Sequence, residues 1–430
     1  QTVLWVLYRS GVCGYRHARA VCVSQTEITI QEIIRADQEM TPGHKISNSM
    51  ELSDKAKYRV PFGTVSITNE ARELIEKALE SKWVTRGKYV QEFEERFAQL
   101  FGVREAIAVS SGTDADALSC AVLYDFGAQR GDEIIVPALS FVATGNAVLQ
   151  AGFTPVFVDV QRETLNINPD KIEEALTPKT RAIMPVHLMG KPAAMDAICA
   201  IAQKHDLYVI EDAAEAHGAQ YKGKKIGAIG HMAAFSLYAA HIITTIEGGI
   251  VVTDNPAMAE ALRSLRNHGI VGKFEFKRIG FSAKMNELEA AVGIGNIKIF
   301  DHILERRRRN LLYLIDKFKK FNDYFITLKE EAHERIGPHA FSIIVREQAG
   351  FTKDELVDYL DKAGVDSRNL FYSIPTQCPS YAFLGKKLGQ FPEAEYCSTH
   401  GTHIGIHQDI ELKDLDYVAQ VVKDFIQSKG

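Results

Sequence analysis

The sequence predicts an α/β chain: a large domain built on a mostly parallel sheet, followed by a smaller α+β domain. Two observations carry this. From about residue 60 to residue 299, short apolar bursts alternate with amphipathic stretches, and strands that alternate with helices build such a sheet. Beyond Asn286 a long helical pattern runs through four consecutive arginines to about Phe321, and isolated strand and helix signals follow it.

The bursts lie at residues 106–110, 133–138, 155–160, 181–188, 208–213, 233–238 and 249–253. Each is short, largely apolar and rich in Val and Ile, as strands covered on both faces are. Helical periodicity falls between several of them, at 115–123, 170–176 and 195–205. After the long helical pattern, 340–346 reads as a strand, 353–363 as a helix and 412–427 as a closing helix. The expected division is therefore an appendage at 1–49, a large domain at 50–299 and a small one, hinged on the long helix, at 300–430. Parallel sheets bind ligands beyond the carboxyl ends of their strands, so chemistry is expected just after the bursts.

At 430 residues the chain exceeds one ordinary core and suits two or three domains. Its 46% hydrophobic and 24% charged residues exclude wholesale disorder and a fibrous fold. No apolar run reaches the roughly 18 residues that would span a bilayer, so a membrane role is not expected. The net charge of −5 gives no general attraction to nucleic acid or anionic lipid. The run from Arg306 to Arg309 reads as a solvated helix face. Six cysteines, at 13, 22, 120, 199, 378 and 397, form no CxxC pair. Their scatter suits free thiols in a reducing cytoplasm, with no zinc site and no disulfide framework. Residues 1–49 read as an appendage or upstream translation, with Met40 and Met50 as candidate starts. Their apolar stretch from Val3 to Leu7 is too short for a secretory signal.

Three segments could carry chemistry. Ser110-Ser111-Gly112-Thr113-Asp114-Ala115 follows a strand and opens a helix. A small-residue turn at a helix N-terminus offers unpaired N–H groups to a phosphate, and an ordinary helix cap fits the same residues equally well. The segment fits neither a dinucleotide fingerprint nor a Walker loop. Ile210-Glu211-Asp212-Ala213-Ala214-Glu215 places carboxylates at a strand end. There Asp212 either caps the next turn or partners a protonated ring nitrogen, since isolated burial of a carboxylate is costly. The stretch from Phe235 to Gly249 joins Ser236, His241 and a Glu-Gly-Gly turn in one short connection. A lone histidine there would be a packing residue; the combination points to a site.

In this order and spacing the segments resemble the DegT/StrS sugar-nucleotide aminotransferases, a family of fold-type I pyridoxal-phosphate enzymes. The resemblance runs from about Val60 to the C-terminus. It includes Trp83-Val84-Thr85-Arg86-Gly87, Ser111-Gly112-Thr113, the run from Pro137 to Asn146, Glu211-Asp212, Glu247-Gly248-Gly249 and Arg266-Asn267-His268-Gly269. It implies a large three-layer αβα domain of the aspartate aminotransferase type, with pyridoxal or pyridoxamine phosphate as cofactor. It also implies a homodimer with shared active sites. By the same resemblance Gly112 and Thr113 cradle the cofactor phosphate, Ser236 binds it, and Phe141 stacks on the ring. Asp212 pairs with the pyridinium nitrogen, keeping the ring an electron sink, and Glu215 stands near the ring hydroxyl.

Two positions depart from the family pattern. His241 stands where aminotransferases carry the lysine that holds the cofactor covalently. Ser282 stands where many members have an asparagine that reaches the partner's cofactor phosphate. Histidine for lysine resembles the branch of sugar 3-dehydratases that act on GDP-4-keto-6-deoxymannose, as does Ile406-His407-Gln408. The iron–sulfur branch needs clustered cysteines, which this chain lacks. An imidazole makes no stable covalent link to the cofactor, yet it moves protons near neutral pH. The expected reaction is C3 dehydration of a nucleotide-linked 4-keto-6-deoxy sugar, with glutamate restoring the amino form of the cofactor. A sugar-nucleotide aminotransferase is the alternative, and a non-catalytic sugar-nucleotide-binding relative is the third reading. Arg86, Lys284 and the arginines from Arg306 are candidate diphosphate partners.

Overall fold

The computed structural model describes residues 4–7, 18–21 and 58–429. Gln1–Glu51 forms a unit of its own. In it Leu4–Leu7 pairs antiparallel with Ala18–Val21. Met40, Met50, Cys13 and Cys22 lie outside the described residues.

The second unit contains a seven-stranded sheet. Its strands are β1 (Glu105–Val109), β2 (Glu133–Pro137), β3 (Thr154–Val158), β4 (Thr180–Ile183), β5 (Tyr208–Asp212), β6 (Met232–Ser236) and β7 (Gly249–Thr253). In space they run β1-β7-β6-β5-β4-β2-β3. Neighbours are parallel except at β7, which is antiparallel to both β1 and β6. Alternate residues enter two separate cores. Ile107, Ile134, Ile210, Ala234 and Val251 pack on one face, and Ala108, Ile135, Val209, Phe235 and Ile250 on the other. That period of two, apolar on both faces, explains why the strands read as unbroken bursts.

Helices α1 (Asn69–Ser81), α2 (Lys88–Phe101), α3 (Gly112–Ala121), α4 (Ala143–Gln150), α5 (Met195–Lys204) and α6 (Pro256–Leu265) flank the sheet. The expected long helix is two helices, α7 (Glu287–Lys298) and α8 (Phe300–Phe318), broken at Ile299. Their surroundings differ. Helix α7 is buried on nearly every side from Ala290 to Asn296. Helix α8 buries a stripe of Ile303, Leu304, Arg307, Leu311, Leu314 and Phe318, the spacing of an amphipathic helix. The expected helix over 170–176 is instead two short 3₁₀ turns, Pro169–Lys171 and Glu173–Ala175; seven residues give a helix little to nucleate on. The strand expected to reach residue 188 ends at Ile183, because Pro185 has no N–H to continue the ladder.

A second, antiparallel sheet comprises β8 (Phe325–Ile326), β9 (Phe341–Val345), β10 (Ser367–Asn369) and β11 (Gly401–Ile404), ordered β8-β9-β11-β10. Helices α9 (Lys353–Lys362), α10 (Pro392–His400) and α11 (Leu412–Gln427) accompany it. A separate core gathers Phe318, Phe341, Ile343, Leu356, Val422 and Phe425.

The four arginines of α8 are not a solvated face. Arg306 donates to Gln408 O and Glu411, and Arg308 makes a forked pair with Glu330. Arg309 reaches Ile410 O, and Arg307 is buried. Four consecutive positions point around the whole helix, so one of them must fall on the buried stripe. Each of the four thus spends donors on partners within the chain. Among the described residues no helix is long and apolar enough to cross a membrane.

Candidate active site

The sequence-derived candidates gather beyond the carboxyl ends of β1, β2, β5 and β6. Helix α3 begins directly after β1. Ser111 caps it, accepting from Asp114 N at 3.0 Å, so the helix cap expected as one reading is present. Helix geometry still leaves the N–H groups of Gly112 and Thr113 without an intrahelical partner. Gly112 lies so close to Ser236, at the end of β6, that a Cβ there would stand 2.7 Å from the serine Cβ. Ser236 is therefore brought beside the α3 N-terminus, and the pair forms a polar cradle where the helix dipole favours an anion. Gly249 opens β7 against the same turn; a Cβ on it would stand 2.1 Å from Ser111 O. The Glu-Gly-Gly motif thus ends in the residue that lets β7 pass the cradle.

Asp212 ends β5 and is 4% exposed. Its Oδ2 accepts from the Thr144 hydroxyl at 2.8 Å and its Oδ1 from Ala214 N at 3.2 Å. Among the described residues no cation forms an ion pair with it. Burial raises its pKa above the ordinary aspartate range, with the bonds from Thr144 and Ala214 acting in the opposite direction. Its neighbour Glu211 faces away and anchors the 227–230 turn. It accepts from Gly227, Ile229 and Gly230 N–H and contacts His187 Nε2 at 3.2 Å. Ala193 N donates to His187 Nδ1, so the ring proton sits on Nε2 and points at Glu211. Burial works to raise Glu211, but the bonds from His187, Gly230 and Gly227 outweigh it and hold the carboxyl below its usual range.

Glu215 is buried and accepts from Met189 N at 2.7 Å. Burial, reinforced by the Asp212 charge, pushes its pKa up to about 8, so it carries a proton at neutral pH. Phe141 stands in the turn after β2, 44% exposed, with its ring 5.7 Å from that of Phe371. Ser282 is not brought into this cluster. It is exposed, bridges Asn267 through the backbone and accepts from Lys284 Nζ at 3.3 Å.

His241 lies in the turn after β6. Its Nδ1 is buried without a hydrogen-bond partner. Its ring centroid is 5.0 Å from that of His339 and 5.9 Å from that of His217. Burial, with the Arg307 charge adding to it, pushes its pKa down to about 3. His217 and His339 are likewise driven well down, first by burial and then by the neighbouring His241 and Arg307. At neutral pH these three imidazoles are uncharged, and His241 is available to accept a proton.

Sequence reasoning did not single out Thr144, His217 or His339, and it read Arg307 only as one of the four arginines. Thr144 lies three residues beyond Phe141 inside a quoted motif, the one signal that could have found it. His217 lies two residues beyond Glu215, Arg307 is one of the four consecutive arginines, and His339 enters from a remote position in the chain. Arg266, within a quoted motif, is a core residue that donates to Glu94 and to Ala108 O. Among the described residues no group of three His, Cys, Asp or Glu side chains could hold a metal ion. A buried carboxylate without a cation, beside a helix N-terminus with a serine and an exposed aromatic ring, does fit a phosphorylated pyridine that carries a protonated ring nitrogen.

Residues 65–423 match the DegT/DnrJ/EryC1/StrS aminotransferase family. The chain belongs to this family. A GDP-perosamine synthase of Caulobacter vibrioides is 35% identical over 366 residues, covering 84% of this chain and 96% of its own. A GDP-4-keto-6-deoxy-D-mannose 3-dehydratase of Escherichia coli O55:H7 is 34% identical over 375 residues, covering 81% and 95%. The solved E coli GDP-4-keto-6-deoxy-D-mannose-3-dehydratase with bound hydrated PLP superposes with a TM-score of 0.78 at 31% identity, covering 85% of this chain and 99% of that one. The fold is that of the fold-type I enzymes of this family, as its motifs implied.

Proposed function

We propose that this chain is a sugar 3-dehydratase that uses pyridoxal and pyridoxamine phosphate. It removes the C3 hydroxyl of a nucleotide-linked 4-keto-6-deoxy sugar for deoxysugar and polysaccharide biosynthesis. What supports this reading is His241, a buried imidazole held uncharged after β6, which by the family resemblance stands where the aminotransferases hold a lysine.

The α3 amides at Gly112 and Thr113, with the Ser236 hydroxyl, bind the cofactor phosphate. Phe141 covers the ring face, Asp212 holds a proton on the ring nitrogen, and Glu215 offers its carboxyl proton to the ring hydroxyl oxygen. Ser282 faces the phosphate of a partner subunit in a homodimer. When bound, the cofactor supplies the electron sink that weakens the sugar C3–O bond. His241 takes the proton whose loss starts that electron flow. A ring packed between His217 and His339 delivers poorly to a second carbon, whereas a lysine amine on a long stem swings between two. This favours loss of the hydroxyl over return of a proton to C4. Glutamate renews the amino form, ammonia leaves with the 3-deoxy sugar, and the reaction belongs to the cytoplasm.

The identity to a GDP-perosamine synthase keeps a second reading in play, a sugar-nucleotide aminotransferase that uses His241 as its proton shuttle. One experiment separates the two. The protein is incubated with GDP-, dTDP- and UDP-linked 4-keto-6-deoxy sugars, pyridoxal phosphate and glutamate, and both products are measured. A 3-deoxy sugar with one ammonia per turnover supports dehydration. An amino sugar without ammonia overturns it in favour of the second reading, and no turnover on any sugar overturns both.

A further inference from the structure

Arg307 is 2% exposed, and among the described residues no carboxylate forms an ion pair with it. Buried charges ordinarily have such a partner, because burying an unpaired one is costly. Arg307 instead directs its donors at three polar groups from separate parts of the chain. Nη2 donates to Ala240 O at 3.3 Å, Nη1 to His339 O at 3.3 Å, and Nε to Gln408 Oε1 at 3.4 Å. Ala240 precedes His241, His339 packs on the His241 ring, and Gln408 in turn donates to Ser66 at 3.0 Å. One planar fork therefore grips both backbone segments that flank the imidazole.

We propose that Arg307 is the positioning residue of His241: its guanidinium clamps the turn that presents the imidazole to the segment that backs it. The proposal rests on the reading of His241 as the proton-accepting group. The planar guanidinium suits the task, since five donors in a fixed fork hold several acceptors at once where an ammonium cannot. Its charge acts on the same ring. The groups that face His241 are Tyr238 from its own turn, with ring centroids 6.5 Å apart, His217 from the segment after β5, His339 from the segment before β9, and Arg307 from α8. Beyond His339, Glu215 Oε1 stands 3.6 Å from its Nε2. Among these, the permanent charge is that of Arg307. A cation beside an imidazole disfavours the imidazolium, so the clamp also keeps the His241 ring unprotonated.

Two measurements test this without sugar turnover. In cofactor-free protein, the His241 ring resonance is assigned by its loss in His241→Asn and followed from pH 8 to pH 4. In Arg307→Met the onset of protonation should move up by about one pH unit or more; an unmoved onset overturns the electrostatic part. The second measurement uses His241→Lys protein, in which residue 241 itself forms a borohydride-reducible link to pyridoxal phosphate. Adding Arg307→Met or Arg307→Lys should slow that link at least about tenfold, with little change in the noncovalent affinity for the cofactor. An unchanged rate overturns the positioning role. If Arg307→Met does not fold, Arg307→Lys decides alone: it keeps the charge, so the titration should stay put while link formation slows. Because no sugar enters either measurement, an aminotransferase outcome in the product assay would leave this result standing.

Discussion

The Thr144 hydroxyl donates to Asp212 Oδ2 at 2.8 Å and itself contacts Ser140 Oγ at 2.8 Å. A buried carboxylate is thus held by one hydroxyl and one amide, with no counterion among the described residues. Such a group is strained in the free protein and gains a partner when a cation binds, which is the property a pyridinium site requires.

Asp212→Asn should separate these two states. Cofactor-free protein should unfold at the same temperature as wild type or higher, because a carboxyl whose folded pKa is raised costs stability once ionised. Cofactor affinity should fall by about 3 kcal/mol or more, the scale of breaking a buried pair, read by absorbance titration with pyridoxal phosphate. Unchanged affinity would remove Asp212 from the site.

Borohydride treatment of the wild-type protein loaded with pyridoxal phosphate should leave no cofactor on the denatured chain. In His241→Lys the cofactor should be retained, because a primary amine then stands at that position. Mass spectrometry of the unfolded chain distinguishes the outcomes, and a covalent adduct in the wild type would contradict the role assigned to His241.

Glu215 sets a pH dependence of stability. Its folded pKa of about 8 lies above the ordinary glutamate value, so the folded state holds the proton more tightly. The stability this contributes is fully present below about pH 4.5 and is lost progressively as pH rises toward 8. Glu215→Gln carries no such term. Its melting temperature should gain on that of the wild type by a few degrees between pH 5 and pH 9, measured on cofactor-free protein; parallel curves would show that the carboxyl is not held neutral.

Gly249→Ala and Gly112→Ala should differ. A Cβ at Gly249 meets the Ser111 carbonyl oxygen at 2.1 Å, whereas one at Gly112 meets the Ser236 side chain at 2.7 Å. Backbone yields less readily than a serine side chain. Gly249→Ala should therefore cost about 1–3 kcal/mol of stability, with the Gly112→Ala variant less affected in stability and weakened in phosphate binding. Urea unfolding and cofactor titration read the two effects.

Sedimentation of the active protein should give twice the chain mass of 47.8 kDa. Full activity in a monomer would exclude a site shared between subunits.

Much of this architecture is written locally. Residues buried on both sheet faces must be apolar at every position, so β1 to β7 stand out as bursts. Asp212 and Ser236 end β5 and β6 and His241 follows β6, where a doubly covered sheet leaves its binding crevice. The motif at Gly112 is likewise local, since a strand, a serine cap and a helix start occupy ten residues. What the sequence leaves open depends on neighbours distant in the chain. The arginines of α8 read alike as charge, and packing alone assigns Arg307 to the buried stripe. His339 lies 98 positions from His241 and Glu211 directly adjoins Asp212, yet the first touches the site and the second turns away to a loop. The break at Ile299 has the same origin: α7 is enclosed among helices while α8 lies against the second sheet, and the periodicity of one helix says nothing of which surface it must follow. Side-chain direction along a strand alternates by geometry, but contact between segments that fold from opposite ends of the chain is settled by packing, which no local pattern encodes.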